Sequence, residues 1–154
     1  ALERCAAGGV LDGAGAGSRP VAARSVARVA AAPDGSVYVA DTWNQRIQVM
    51  TPDETGSYVP FLAWDVDAWY GESLDNKPYL AVDSQGNLYA SDPEGHRILH
   101  FDTTGTFIDY FGSYGLSSGG FNLPTGLGID SEGGLWVVDT ANARVMHFSM
   151  DTEP

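Results

Sequence analysis

Few side chains in this sequence have the reactivity of a nucleophile, a base or a metal ligand. There are three histidines, His96, His100 and His147, and one cysteine, Cys5. Cys5 stands in an Ala-rich stretch with no histidine near it in sequence, so it reads as inert, and a lone cysteine forms no disulfide within its chain. One segment does gather ligand-type chemistry. Trp64-Asp65-Val66-Asp67-Ala68-Trp69-Tyr70-Gly71-Glu72-Ser73-Leu74-Asp75-Asn76 holds two Trp, one Tyr and four carboxylates. Aromatic faces beside carboxylates and amides suit a polar ligand with apolar C–H faces, such as a sugar. They equally suit a cationic peptide, held by charge pairing and cation–π contact. A plain packing role is the competing reading, with Trp64 and Trp69 between layers and the acids solvated.

Charge narrows the partners. The chain has 154 residues, 20 acidic against 8 basic, for a formal net charge of −12. Binding that tracks phosphates draws its affinity from Lys and Arg, so a nucleic-acid partner is excluded on this balance, and so is docking on an anionic membrane surface. No apolar run approaches the roughly 20 residues that span a bilayer as a helix. The hydrophobic fraction of 44% against 18% charged is that of a globular chain with one good core. The sequence opens on Ala-Leu-Glu-Arg, with neither Met nor a signal-like segment, and reads as a mature or excised piece.

The elements that position these residues come from an internal repeat. Val37-Tyr38-Val39-Ala40-Asp41-Thr42-Trp43-Asn44-Gln45-Arg46-Ile47 is matched by Leu88-Tyr89-Ala90-Ser91-Asp92-Pro93-Glu94-Gly95-His96-Arg97-Ile98. Leu135-Trp136-Val137-Val138-Asp139-Thr140-Ala141-Asn142-Ala143-Arg144-Val145 is the third copy. Asp41 to Asp92 is 51 residues and Asp92 to Asp139 is 47, and the arginines keep the same spacings. A period of this length with only strand signals predicts propeller blades. Each unit reads as four strands. A short apolar strand is followed by a Gly-containing turn at Gly35, Gly86 or Gly133, then by the Tyr/Val/Trp strand quoted above. A third strand, apolar at nearly every position, reads as buried on both faces. The fourth is Tyr58 to Trp64 in unit one and Thr106 to Phe111 in unit two. Asp41, Asp92, Asp139 and Arg46, Arg97, Arg144 recur in every unit, which assigns them to architecture: the Asp to backbone N–H groups of its turn, the Arg to nearby carbonyls. Asp83 and Asp130 likewise stand just before a turn and read as turn chemistry.

On these residues the chain resembles the NHL repeat. Gly120-Phe121-Asn122-Leu123-Pro124-Thr125-Gly126-Leu127-Gly128-Ile129-Asp130, then Val138-Asp139-Thr140-Ala141-Asn142-Ala143-Arg144-Val145, is close to a complete consensus, and Asp41 to Val49 is equally good locally. Pro93-Glu94-Gly95 departs from it in the middle copy. The resemblance implies an all-β, NHL-type β-propeller of four-stranded blades, working as a binding scaffold. A minority of the family are metal-dependent lyases or lactonase-like hydrolases with a metal such as Ca or Zn in the central channel. A weaker likeness of Asp65 to Gly71 and Asn76 to Tyr79 to NHL-like tails of bacterial membrane proteins of glycosyltransferase-related type implies an extracytoplasmic setting.

Three blades are expected, over 25–64, 77–112 and 124–149, after an N-terminal segment 1–24. Unit three ends near Phe148 and lacks its fourth strand. Leu2 to Ala7 is the candidate to supply it, in the manner of the strand exchange that closes propellers. Three blades span half of a six-bladed ring and would leave two apolar faces bare. The expectation is therefore a homodimer closing a six-bladed ring on a two-fold axis, or a piece of a longer chain. The turn-and-channel face is then the expected binding surface for a protein, peptide or glycan. Its candidate residues are Arg28, Trp43, Asn44, Asp65, Asp67, Trp69, Tyr70, Tyr79 and His96. Arg28 and Tyr79 stand where the family often has Gly, so they narrow the channel mouth, and Arg28 suits an anion. No catalytic set and no resident cofactor is expected. An assembly element with no ligand is the further alternative.

Overall fold

The computed structural model describes residues 26–70 and 77–150. Three antiparallel sheets follow one another along the chain. The first blade has β1 (Val26–Ala31), β2 (Val37–Asp41), β3 (Arg46–Pro52) and β4 (Tyr58–Asp65), paired in that order. The second has β5 (Leu80–Val82), β6 (Leu88–Asp92), β7 (Arg97–Phe101) and β8 (Phe107–Phe111). A two-stranded parallel ladder, β9 (Ser113–Tyr114) with β10 (Gly120–Phe121), leads into the third sheet. That sheet has three strands among the described residues: β11 (Pro124–Ile129), β12 (Leu135–Asp139) and β13 (Arg144–Phe148). The expected strand at Leu2 to Ala7, Cys5 and the connector residues 71–76 lie outside the described residues.

The up-and-down order follows from tight hairpins. Asp34, Asp83 and Asp130 close the first-to-second strand turns, and Asp53 and Asp102 close the third-to-fourth ones. Each takes the backbone N–H two residues on, as in Asp53 with Thr55 at 2.8 Å and Asp130 with Glu132 at 2.9 Å. Hydrogen bonds hold the hairpin carboxyls at Asp53, Asp102 and Asp130 below the usual carboxylate range. The first cause is the Thr55 hydroxyl for Asp53, the Thr104 hydroxyl for Asp102 and the Trp136 indole N–H for Asp130.

Two apolar clusters join the blades. Tyr38, Ala40, Ile47 and Val49 of blade 1 meet Leu88, Ala90, Leu99 and Phe101 of blade 2. Tyr89 and Ile98 of blade 2 meet Leu135 and Val137 of blade 3, with Met146 and Phe148 packed alongside. Repeat geometry thus puts equivalent residues on equivalent faces, because side chains alternate along a strand. The second strands record who is covered. In β6 every residue from Leu88 to Asp92 is buried. In β12 burial alternates, with Leu135, Val137 and Asp139 inside and Trp136 and Val138 exposed. Blade 2 is sandwiched; blade 3 has one open face.

Candidate functional site

The repeated Asp and Arg sit directly opposite each other where the second strand turns into the third. Each Arg Nε donates to the Asp Oδ2: Arg46 to Asp41 at 2.8 Å, Arg97 to Asp92 at 2.8 Å, Arg144 to Asp139 at 2.7 Å. The residue just before each Arg, namely Gln45, His96 and Ala143, has positive φ, which swings the chain so that the pair closes. In blades 1 and 3 the turn is a 3-10 helix, Thr42–Asn44 and Thr140–Asn142, whose Asn amide also donates to the Asp. The middle blade, with Pro93-Glu94-Gly95, instead gives Asp92 the Gly95 backbone N–H at 3.3 Å.

Sequence reasoning assigned the Asp to its own turn's N–H groups and did not foresee the ion pair. The arginines then reach out to chain entering the blade. Arg144 donates to the carbonyls of Leu116, Ser117 and Gly120, and Arg97 to that of Asp67. Burial pushes the Asp139 carboxyl up. The Asn122 backbone N–H, the Asn142 amide and Arg144 outweigh it and hold the carboxyl below its usual value.

The candidate ligand residues divide. Asp65 ends β4 and is exposed, and so are Asp67 and Tyr70, whose hydroxyl donates to Asp67 Oδ1. These three, with Asn44, Gln45 and Val66, line a cavity of about 440 Å³ on the turn face. Trp43 is 57% exposed nearby, and the Lys77 ammonium lies 5.5 Å from its ring centre. Asn44 spends its amide on Asp41.

Trp69 is buried, and its indole N–H donates to the Ser91 carbonyl at 3.0 Å, which pins the connector to blade 2. Trp64 packs between blades against Tyr38 and Phe101. Arg28 and Tyr79, at neighbouring innermost strands, hold each other. The guanidinium is 4.4 Å from the ring centre and donates to the hydroxyl at 2.9 Å, which uses cation and ring that were expected to face a ligand. His96 is also engaged. Its Nδ1 accepts the Leu123 backbone N–H at 3.2 Å and its ring meets Tyr114 edge-on, joining blade 2 to the segment that enters blade 3.

His100 stacks on Tyr89 and His147 on Trp136, at ring-centre separations of 4.5 and 4.4 Å, with Asp109 and Asp130 as their respective partners. Among the described residues no three His, Cys, Asp or Glu side chains are grouped to hold a metal ion, and no helix is long and apolar enough to cross a membrane.

Sequence reasoning missed Lys77 on Trp43, and it missed the rings of Phe107 and Tyr110, which face a second cavity. Both rings fell within a run read only as an outer strand. The missing signal was register: Phe107 pairs with Phe101 and Tyr110 with Leu99, which places both rings on the side turned toward blade 1.

Sheets of this order, packed face to face around innermost strands, make the molecule a β-propeller segment. The NHL repeat model matches residues 24–50 and 121–148, in the first and third copies. Solved structures share the fold. Virginiamycin B lyase from Staphylococcus aureus aligns at 12% identity with TM-score 0.51, covering 84% of this chain and 42% of that one. Regucalcin, a calcium-binding protein from Agrobacterium tumefaciens, aligns at 16% identity and TM-score 0.54, over 80% of this chain and 45% of that one. An auxiliary nutrient binding protein from Bacteroides thetaiotaomicron aligns at 18% identity and TM-score 0.55, over 79% and 36%. The chain therefore spans less than half the length of these structures. No curated protein matches the sequence.

Proposed function

We propose that the protein is a non-catalytic binding scaffold: half of a six-bladed propeller, closed into a ring by a second copy of the same chain, that engages a protein or peptide on its turn face. The observation that carries the ring is the unequal burial of one repeated face. Tyr38 and Ile47 in blade 1, and Tyr89 and Ile98 in blade 2, are at most 6% exposed. Their counterparts in blade 3, Trp136 and Val145, are 44% and 59% exposed, beside Val138 at 41%. The same apolar face is dry twice and wet once, and a further blade is what covers it elsewhere in this fold.

A second copy can bring one. The far side of blade 1 carries Val37, Val39, Gln48 and Met50, in register with the Leu88, Ala90, Leu99 and Phe101 that already cover such a face. Val39, Gln48 and Met50 are already withdrawn from solvent within the single chain, so blade 3 of a second copy takes this face by displacing what covers it there. A two-fold axis pairing blade 3 of each copy with blade 1 of the other closes the assembly without leaving an open end.

Binding is supported by the turn-face cavity, where Asp65, Asp67 and Tyr70 converge beside the exposed Trp43. A peptide and glycan array tests it: Tyr70→Ala and Trp43→Ala are expected to lose the signal. Equal binding by both variants removes this face from the proposal.

A further inference from the structure

The connector after β4 borders two cavities. Asp65, Val66 and Asp67 line the turn-face cavity on one side, and on the other a separate one of about 360 Å³ toward the rim. The rim cavity has an apolar floor of Leu99 and Phe101, both 3% exposed, and a mouth of Phe107 and Tyr110, 50% and 53% exposed. Building on the reading of the protein as a peptide-binding scaffold, we infer that this rim cavity receives a lysine or arginine side chain of its partner.

Its chemistry is that of a cation with a hydrocarbon stem. Phe101, Phe107 and Leu99 take the methylenes, and the carboxylates of Asp65 and Asp67 take the charged end. The two connector carboxylates have no cation of their own among the described residues. The Asp65 carboxylate has no hydrogen-bond or ion-pair partner among the described residues, and the Asp67 carboxylate has only the neutral Tyr70 hydroxyl. The five basic residues of the described segments each have a partner other than these carboxylates. Arg46, Arg97 and Arg144 hold their Asp partners, Arg28 lies on Tyr79 and Lys77 on Trp43. Arg46, opposite Asp65 in the ladder, has its Nε on Asp41.

The wall of the cavity already holds one such cation. The Arg97 guanidinium, with Asp92 at 2.8 Å, lies 5.0 Å from the centre of the Tyr110 ring. Neutralised by Asp92, it closes one end and leaves Phe107, Phe101 and the two connector carboxylates to the incoming group. The net charge of −12 draws a basic partner in; the cavity gives it a seat.

The test is calorimetric titration of the full chain with a capped oligo-lysine peptide, and with a capped oligo-glutamine peptide of the same length. Saturable binding of oligo-lysine alone is expected. Asp65→Asn with Asp67→Asn should weaken it about tenfold or more, and Tyr110→Leu or Phe107→Ala several-fold. Asp53→Asn with Glu54→Gln, the same charge change on the exposed blade 1 hairpin, should leave it within about twofold. Equal losses from the two neutralised pairs would mean attraction to net charge alone and overturn the site. So would a Asp65→Asn/Asp67→Asn protein that binds like the parent. If oligo-lysine fails while an array peptide without basic residues binds the turn face, the cation site falls and the scaffold reading stands. If no peptide binds at all, both fall.

Discussion

Arg144 and Asp139 meet at 2.7 Å, and the same guanidinium donates to the carbonyls of Leu116, Ser117 and Gly120, so one buried carboxylate fixes both its own turn and the chain that enters the blade. Removing the cation leaves a fully buried carboxylate with the Asn122 N–H and the Asn142 amide but no counter-charge, and frees three carbonyl acceptors. Arg144→Gln is expected to cost about 3 kcal/mol. Arg97→Gln, whose only carbonyl contact among the described residues is to Asp67 at 3.4 Å, should cost about 1 kcal/mol. Urea unfolding of the two variants measures the difference; equal losses would deny Arg144 its clamping role.

Acid should weaken the anchor that Asp139 gives the third blade. The Asp139 carboxyl lies below its unfolded value of about 3.9. The unfolded chain therefore binds more protons in that window, and stability falls as pH drops through it. The contribution is complete above about pH 4 and is lost as pH falls toward the depressed folded value. The urea midpoint of the parent should decline with acid below about pH 4. Asp139→Asn should be less stable at neutral pH and show a shallower decline.

Alkali gives the opposite sign at Tyr89. Burial, then the charges of Asp83 and Asp109, push its hydroxyl to about 12. Its neutral form is the one the fold holds, so its contribution is present below about pH 10 and is lost as pH rises toward 12. Absorbance titration of tyrosinate should show a late component that Tyr89→Phe removes.

Gly112 separates two costs of a side chain. Its φ is +99°, and a Cβ there would lie 2.4 Å from the Phe121 ring, which is fully buried between blades 2 and 3. Gly133 has φ +86° with nothing within 4 Å. Gly133→Ala should cost about 1 kcal/mol, from backbone strain alone. Gly112→Ala should cost at least twice that, because ring or chain must move. Thermal unfolding compares them.

Most of the architecture was legible because the repeat is written in the residues that turn and pair the strands. The Asp-to-Arg spacing marks the second and third strands of each blade, and the Gly before each copy marks the first turn. That unit three has three strands among the described residues was readable by counting. The site was less legible, since burial of an aromatic depends on what lies across from it. Trp43 and Trp69 look alike in sequence, yet one is exposed and the other donates to Ser91 from inside. Arg28 and Tyr79 are 51 residues apart and pair because innermost strands of adjacent blades touch, a contact no local pattern encodes. The β9–β10 ladder escaped notice because a two-residue strand carries no periodicity.

The direct measurement is the mass of the chain in solution by light scattering at micromolar concentration, repeated with Val145→Glu on the open face of blade 3. The parent should have a mass of twice 16.3 kDa and the variant that of a single chain. A parent that is monomeric and stable at that concentration would contradict the paired half-ring.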